Sequence, residues 1–317
     1  MTPLLDRQIA PLIGVVLAVL ALGSLAGFVL GRRAKTPAQR STIANLTARV
    51  NAWWVMVGVL VGALALGRWA VIALFAAVSF LALRELVTLV PSRRADHATL
   101  AGAFFLAVPI QYGLLYTSWY GMFAIFLPVY ALLAISVRVA LSGDTERFLH
   151  RVAAIQYTLM IGVYCTSHAP ALLLLEIPGY HGQSWKLLVF LVFVVQMSDV
   201  LQYVWGKLLG RRKIAPKLSP SKTVEGFVGG VASATALGGG LWWITPFGPA
   251  EATAYALAIT LAGFCGGLVM SAIKRDAGVK DYGNLIAGHG GMMDRVDSMA
   301  FAAPLFFHLV RYFHSTV

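Results

Sequence analysis

The residues best suited to chemistry lie in one polar stretch, residues 271–298, which separates two apolar runs near the end of the chain. It contains four of the thirteen acidic residues, and four Lys or Arg residues balance their charge. The other charged loops are strongly basic. Carboxylate oxygens, together with substrate phosphates, are the ligands that Mg²⁺ prefers. This stretch therefore predicts a loop that binds a metal ion or another positively charged centre.

Two of these acids, Asp294 and Asp297, are three residues apart and share one face if a helix begins near them. Two carboxylates on one face can share a divalent cation. The alternative is helix capping, because acids in a first turn interact favourably with the positive helix end. The preceding residues, Gly288-His289-Gly290-Gly291, allow backbone N–H groups to approach a phosphate closely. Taken alone, this motif is better explained by a flexible turn with an exposed His.

A second polar loop, residues 206–225, contains six cations and one acid. Its SPSKT run, residues 219–223, predicts an N-cap at Ser219 with Pro220 at the first helical position. Lys222 and the hydroxyl groups would then lie at a helix N-terminus, where free N–H groups favour an anion. The alternative is that these cations only mark the cytoplasmic side of a membrane protein.

One acid, Asp199, lies inside an apolar run. An acidic residue within a membrane span indicates a functional site by default, and it is normally paired or faces water. We expect its cationic partner in the loop 206–225, and a purely structural salt bridge is the alternative. The neighbours Arg84 and Glu85 end another apolar run, and they are interpreted as an ion pair at the membrane surface.

Membrane-spanning helices must position these loops. The chain has 317 residues, of which 59% are hydrophobic and only 12% are charged, whereas about 25% are charged in a soluble domain. We predict an all-α, polytopic membrane protein with ten helices, each close to the roughly 20 apolar residues that cross a bilayer. The predicted spans are Ala10–Leu30, Ala52–Gly67, Trp69–Val90, Ala98–Tyr116, Trp119–Leu141, Val152–Leu175, Trp185–Trp205, Gly226–Ile244, Ala250–Ile273 and Val296–Phe313.

The distribution of charge predicts an orientation. Of the 25 Lys and Arg residues, 21 fall in alternate loops on one side and 4 on the other. By the positive-inside rule the richer side, with both polar loops, is cytoplasmic. The net charge of +12 is thus explained without a nucleic acid. We divide the chain into 1–185, about six spans with few functional residues, and 186–317, a catalytic region with loops 206–225 and 271–297. The predicted location is a bacterial-type inner (plasma) membrane.

The residues of the two loops suit nucleotidyl transfer. A nucleoside triphosphate is highly anionic, and metal ions and basic side chains must offset its charge before a second phosphate can approach. A phosphate monoester is itself anionic near neutral pH, so it needs no strong general base. The loops contain Asp, Lys, Arg and Gly but no evident activated Ser or Cys, as this chemistry requires.

The polar stretch resembles the signature of the phosphatidate cytidylyltransferases, or CDP-diacylglycerol synthases. That signature reads Ser-x-apolar-Lys-Arg-x4-Lys-Asp-x-Gly and then Pro-Gly-His-Gly-Gly-x2-Asp-Arg-x-Asp. Residues 271–297 match it in order and spacing, except that Ala287 replaces the proline. Residues 216–230 resemble the family's Ser-Pro-x-Lys-Thr-x-Glu-Gly region, and Asp199 begins an Asp-x-x-x-Tyr-x-x-Gly run like the family's.

The resemblance implies a multispanning helical fold in which CTP and phosphatidate give CDP-diacylglycerol and pyrophosphate with Mg²⁺. Asp294 matches the family's metal-binding aspartate. The predicted partners are CTP, phosphatidate or a related lipid phosphate, and membrane lipids, with a homodimer and a second cation left open. We predict as catalytic residues Lys274, Arg275, Lys280, His289 and Arg295; as substrate-binding residues Asp199, Ser219, Ser221, Lys222, Thr223, Glu225, Gly290 and Gly291; and as metal ligands Asp294, Asp281 and Asp297.

One position departs from the resemblance. The family has Gly-Asp-Leu before its signature, and that Asp is also a metal ligand, whereas this chain has Gly266-Gly267-Leu268. Asp281, Asp297 or Asp199 are candidates to replace the missing carboxylate, or the site holds fewer metal ions. The alternatives are therefore a paralogue with another substrate and one that binds lipid or nucleotide without catalysis. A transporter, suggested by an acid within a span, is less favoured.

Overall fold

The computed structural model of this protein describes residues 8–33, 36–90, 93–285 and 290–316. Within them the chain forms ten long helices, and eight of these, all except α8 and α10, are long and apolar enough to cross a membrane. The prediction of a helical, polytopic membrane protein is confirmed. The helices are α1 (Ala10–Arg33), α2 (Pro37–Leu66), α3 (Arg68–Leu89), α4 (Arg94–Tyr116), α5 (Tyr120–Ala140), α6 (Phe148–Leu174), α7 (Trp185–Leu208), α8 (Val224–Gly240), α9 (Pro249–Asp276) and α10 (Met293–His314).

Helix α2 begins well before the predicted span at Ala52. Thr36 is its N-cap, and the Thr36 Oγ1 atom accepts a hydrogen bond from the backbone N–H of Gln39. The Gln39 side chain in turn accepts from the N–H of Thr36, which completes a capping box. The first turns of this helix are polar, so hydropathy alone placed its start too late.

The loop between α7 and α8 contains a two-stranded antiparallel sheet of β1 (Lys213–Ala215) and β2 (Ser219–Thr223). The predicted N-cap at Ser219 is therefore wrong. Helix α8 is capped by Thr223, whose Oγ1 accepts from the N–H of Gly226 at 3.1 Å. Pro220 lacks an N–H group and is tolerated here because the strand is at an edge. Residues 219–222 thus approach α8 in extended conformation, outside the helix.

Helices α7 and α8 pack closely because glycines of α8 face α7. A Cβ atom on Gly226 would lie 2.7 Å from the carbonyl oxygen of Gln202. A Cβ atom on Gly230 would lie 2.6 Å from the backbone N and Cα atoms of Gln202. Small residues four apart allow such close approach between membrane helices. This packing brings the end of α7 against the strand β2 that precedes α8.

Helix α10 connects the later helices to the earlier ones. It packs against α9 and also against α3 and α6. Phe306, Phe307 and Val310 on α10 are fully buried in the common core. The first turn of α10 contains Asp294 of the polar stretch, so helices from both halves of the chain fix the position of this acid. The proposed division at residue 185 stays a prediction.

A buried ion pair joins the start of α4 to α6. The Arg151 Nη2 and Asp96 Oδ1 atoms are 2.6 Å apart, and the two side chains are 3% and 1% exposed. Arg151 Nη1 also donates to the backbone carbonyls of Asp144 and Glu146. The second Asp96 oxygen accepts from the N–H of Arg93. This pair is satisfied on all sides by the protein itself.

Candidate functional site

Asp294 is the centre of the polar stretch. It lies in the first turn of α10 and is buried. Its Oδ1 atom accepts from Lys274 Nζ at 2.7 Å. Its Oδ2 atom accepts from the backbone N–H groups of Tyr282 at 2.8 Å and Gly291 at 3.0 Å. The loop is thus folded around one carboxylate, which connects it to the ends of α9 and α10.

The backbone of the loop is shaped to meet that carboxylate. Gly290 has a φ of +80°, a conformation that side chains rarely adopt. A Cβ atom there would also lie 2.7 Å from Asp294 Oδ2. Tyr282 is buried, and its hydroxyl donates to the Met270 carbonyl at 2.9 Å. The predicted residue His289 lies outside the described residues.

Glu85, at the end of α3, holds the loop from the other half of the chain. Its Oε1 atom accepts from the N–H of Met292 and its Oε2 atom from the N–H of Met293, both at 2.8 Å. The first N–H groups of a helix lack partners within the helix, and a carboxylate suits its positive end. The predicted surface ion pair of Arg84 with Glu85 is therefore wrong. A Cβ atom on Gly283 would lie 2.9 Å from Glu85 Oε1.

A second group of polar residues lies beside the first turn of α10. The Ser298 hydroxyl donates to Asp199 Oδ1 at 3.3 Å, and the N–H of Ser298 donates to Asp297 Oδ1 at 2.7 Å. Lys222, from β2, interacts electrostatically with both carboxylates. Burial lowers the pKa of Lys222, and Asp199 and Asp297 partly offset that effect. The loop 206–225 does supply a cation beside Asp199, as predicted.

The two polar loops contact each other through Arg275. Its Nε atom donates to the Leu218 carbonyl at 3.2 Å and its Nη1 atom to the Val279 carbonyl at 3.1 Å. Glu225 fixes the basic loop internally, accepting from the N–H groups of Arg211 at 3.0 Å and Arg212 at 3.2 Å. These backbone hydrogen bonds, that from Arg211 first, lower the pKa of Glu225. The contacts of Arg275 and Glu225 organise the loops.

The remaining predicted residues lie around these groups. Lys280 and Asp281 are exposed. The hydroxyl oxygens of Ser219 and Ser221 are 3.5 Å apart, and Thr223 caps α8. Arg295 has a buried Nε atom with no hydrogen-bond partner among the described residues. The structure therefore brings together Asp294, Lys274, Gly290 and Gly291, and separately Asp199, Lys222 and Asp297.

The oxygen atoms present fit one divalent cation. In the part of the chain that the structure describes, no three His, Cys, Asp or Glu side chains group closely enough to hold a metal ion alone. The Asp294 carboxylate already accepts three hydrogen bonds, of about four that it can accept. Asp199, Asp297 and the Ser298 hydroxyl offer oxygen atoms in a second place. Mg²⁺ commonly binds one or two carboxylates plus substrate phosphates, which matches this set.

The fold and the site define a class of protein. It is a polytopic membrane protein in which carboxylates, ammonium groups and glycine N–H groups converge where α3, α7, α9 and α10 meet. Such a set binds strongly anionic, phosphate-bearing substrates. The chain belongs to the Cytidylyltransferase family, which it matches over residues 47–313, and the resemblance found in the sequence is confirmed.

Comparison with curated proteins gives two kinds of relative. The uncharacterized protein YnbB of Escherichia coli (strain K12) is 39% identical over 271 residues, 84% of this chain and 88% of that protein. Phosphatidate cytidylyltransferases from Synechocystis sp. and Aquifex aeolicus are 38% and 36% identical, over 43% and 44% of this chain. The chain spans about half the length of these two enzymes, 50% and 52%.

Proposed function

We propose that this protein transfers the cytidylyl group of CTP to phosphatidate or a related lipid phosphate, giving a CDP-lipid and pyrophosphate. The observation that carries the proposal is the set of hydrogen bonds that Asp294 accepts from Lys274 and from the backbone N–H groups of Tyr282 and Gly291. All four residues belong to the stretch 271–297, which matches the phosphatidate cytidylyltransferase signature. The family membership and the related enzymes support the same chemistry.

In the proposed reaction an oxygen of the lipid phosphate attacks the α-phosphorus of CTP. The bond from that phosphorus to the bridging β-phosphate oxygen breaks, and pyrophosphate leaves with the electron pair. No proton has to be removed from a dianionic phosphate, so the site needs no general base. Lys274 and Lys222 offset charge on the phosphates, and Arg295, with its unpartnered Nε atom, is a third donor. Mg²⁺, held by Asp199 and Asp297, would supply further charge neutralisation at the phosphate oxygens.

The lipid substrate can approach from within the membrane. Asp199 lies on α7 with Val200 and Tyr203, and all three are exposed along that helix. A lipid phosphate beside α7 would reach the carboxylate group without leaving the bilayer surface. We propose that this end of the helices faces the cytoplasm, where CTP is found, because 21 of the 25 Lys and Arg residues fall on that side.

A related candidate is a paralogue with a different lipid phosphate as its acceptor. Two observations favour it: Gly267 replaces the carboxylate of the Gly-Asp-Leu motif, and YnbB aligns over more of this chain than the phosphatidate cytidylyltransferases do. The transfer chemistry would be unchanged. Only the acceptor would differ.

The test uses purified protein in lipid vesicles with labelled CTP, Mg²⁺ and a panel of lipid phosphate monoesters that includes phosphatidate. We expect liponucleotide and pyrophosphate in equal amounts with at least one acceptor. The variant Asp294→Asn should lose at least about 100-fold of this activity, the loss typical when one electrostatic group is removed from an active site. Turnover with another lipid phosphate but not with phosphatidate would support the paralogue. No product with any acceptor, for a folded protein that binds CTP, would exclude the transferase.

A further inference from the structure

A pair of adjoining cavities lies at the end of the helices opposite the polar loops. Arg68 begins α3, which has Glu85 near its other end. Arg311 lies in the last turn of α10, and Asp294 lies in its first turn. At about 1.5 Å per residue, roughly 25 Å of helix separates each arginine from the candidate functional site.

Both arginines line the first cavity, which has a volume of about 200 Å³. The second cavity has a volume of about 640 Å³, within the range of roughly 300–1,000 Å³ that is typical of ligand sites. The two cavities adjoin, because they share the lining residues Arg68, Leu174, Leu175 and Glu176. A ligand could therefore extend from one cavity into the other.

The two arginines are held in place by aromatic rings. The guanidinium carbon of Arg311 lies 3.5 Å from the centroid of the Tyr120 ring, and Tyr120 lines the same cavity. That of Arg68 lies 4.1 Å from the centroid of the Trp69 ring. An arginine that only snorkels keeps its head group in water, whereas Arg311 is half-buried. Stacking engages the face of a guanidinium group, and phosphate binds to the N–H groups at its edge, so both arginines suit a phosphate group.

One acidic residue lines the cavities beside the arginines. Glu176 follows α6 and is exposed. Its backbone carbonyl accepts from the Ser315 hydroxyl at 3.1 Å and from the N–H of Thr316 at 3.3 Å, so the segment after α10 fixes its position. Among the described residues, neither Arg68 nor Glu176 has an ion-pair partner. The first cavity thus offers two positive charges, one negative charge and the apolar side chains of Leu114, Leu115, Leu174 and Leu175.

We propose that these cavities bind a phospholipid whose head group carries an ammonium group, from the membrane leaflet at this end of the helices. Arg68 and Arg311 bind the phosphodiester, and Glu176 accepts hydrogen bonds from the ammonium group. The leucine side chains cover the first methylene groups of the acyl chains. A lipid without an ammonium group brings its phosphate beside the Glu176 carboxylate and supplies no cation to offset that charge. The inference is independent of the proposed transfer reaction, whose residues lie at the other end of the helices.

The experiment is native mass spectrometry of the purified, delipidated protein, titrated with phosphatidylethanolamine, phosphatidylglycerol or phosphatidylcholine of equal chain length. The first phosphatidylethanolamine should bind about tenfold more tightly than either other lipid, the effect of one hydrogen bond between charged groups. Phosphatidylcholine is the closest comparison, because its quaternary ammonium group has no N–H donor. Glu176→Gln should abolish the preference. The double variant Arg68→Gln with Arg311→Gln should weaken the binding of all three lipids about 100-fold, because it removes both phosphate ligands.

Two matched controls change the same residue types outside the cavities. Glu251→Gln alters an exposed acid at the start of α9, and Arg138→Gln alters an exposed arginine on α5; neither should change lipid binding. Inorganic phosphate and free phosphoethanolamine should not displace the lipid at millimolar concentration, because they lack the apolar part that the leucine side chains cover. Equal affinity of the wild type for the three lipids would overturn the inference. So would a preference retained in Glu176→Gln, unchanged affinity in the double arginine variant, or displacement by free phosphate.

Discussion

Two buried ion pairs in this protein have opposite surroundings. In the pair of Arg151 with Asp96, every side-chain nitrogen of the arginine donates to Asp96 or to a backbone carbonyl. In the pair of Lys274 with Asp294, the lysine makes one hydrogen bond among the described residues, although an ammonium group has three donors. We call the pair of Arg151 with Asp96 the closed pair, because all its arginine nitrogens have partners. We call the pair of Lys274 with Asp294 the open pair, because its lysine retains N–H donors for another partner.

This difference separates a structural charge from a functional one. A buried ion pair is weak support for stability, but removing one of its partners leaves an uncompensated charge and is costly. The closed pair has no group left to offer a substrate. The open pair lies beside the glycines at 290 and 291. Asp294 precedes Arg295, whose Nε atom has no partner among the described residues, and it shares α10 with Asp297. Burial alone would not have distinguished them.

The largest expected effect is on the closed pair. Arg151→Met should lower the free energy of unfolding by about 3–5 kcal/mol, because the buried Asp96 carboxylate loses its partner. Transfer activity per folded molecule should not change. The measurement is denaturation in mixed micelles of increasing SDS content, with Asp96→Leu added to Arg151→Met as a control that should recover most of the loss. A loss of stability below about 1 kcal/mol, the range of surface pairs, would contradict the closed-pair interpretation.

The open pair should respond in activity. Lys274→Met keeps the length of the side chain and removes its charge. Turnover should fall about 100-fold, equivalent to about 2.7 kcal/mol at 1.36 kcal/mol per tenfold. Asp294 keeps two backbone N–H donors, so the loss of stability should be smaller than for Arg151→Met. Turnover is measured with labelled CTP, and stability is measured by SDS denaturation of the same preparation. Equal turnover in the variant and the wild type would refute a functional role for Lys274.

Much of the fold could be predicted because its signals are local or repeated. Apolar runs of bilayer length located the helices. The SPSKT run was harder, because it offers hydroxyl groups at three positions, and pairing of β2 with β1 decided which of them caps α8. The first turns of α2 are polar, so hydropathy gave no signal for its start.

The site was predictable as a set of residues but not as a set of contacts. Asp294 and Lys274 stand in one recognisable stretch, but nothing in that stretch predicted the ion pair between them. Glu85 lies more than 200 residues from the N–H groups that it accepts from. No periodicity or motif connects such positions, and its only signal was an acid at the end of a membrane helix.

Glu85 should act as a positioning residue. Glu85→Gln keeps one acceptor for Met292 and Met293 and places an NH₂ group against the other N–H. The loop would shift, and kcat should fall about tenfold, or about 1.4 kcal/mol, while the KM for CTP stays within about twofold because Lys274 and Lys222 are untouched. Arg84→Gln is the matched control, since Arg84 is exposed on the adjacent position. Equal loss of kcat in both variants, or a rise in KM alone, would argue against positioning.

The smallest effect concerns the exposed hydrogen bonds of Glu225. Because the N–H groups of Arg211 and Arg212 lower the pKa of this carboxylate in the folded state, its contribution is present above the ordinary pKa of glutamate, about 4.3. It is lost only as the pH falls through the lower, folded value. Protection of the amides of residues 211 and 212 from hydrogen exchange should therefore be constant from about pH 7 to 5 and decline below about 4, after correction for the intrinsic rate. In Glu225→Gln the protection should be weaker at all these pH values and independent of pH, because the amide does not titrate. A wild type whose protection already declines near pH 6 would show that some other group controls the basic loop.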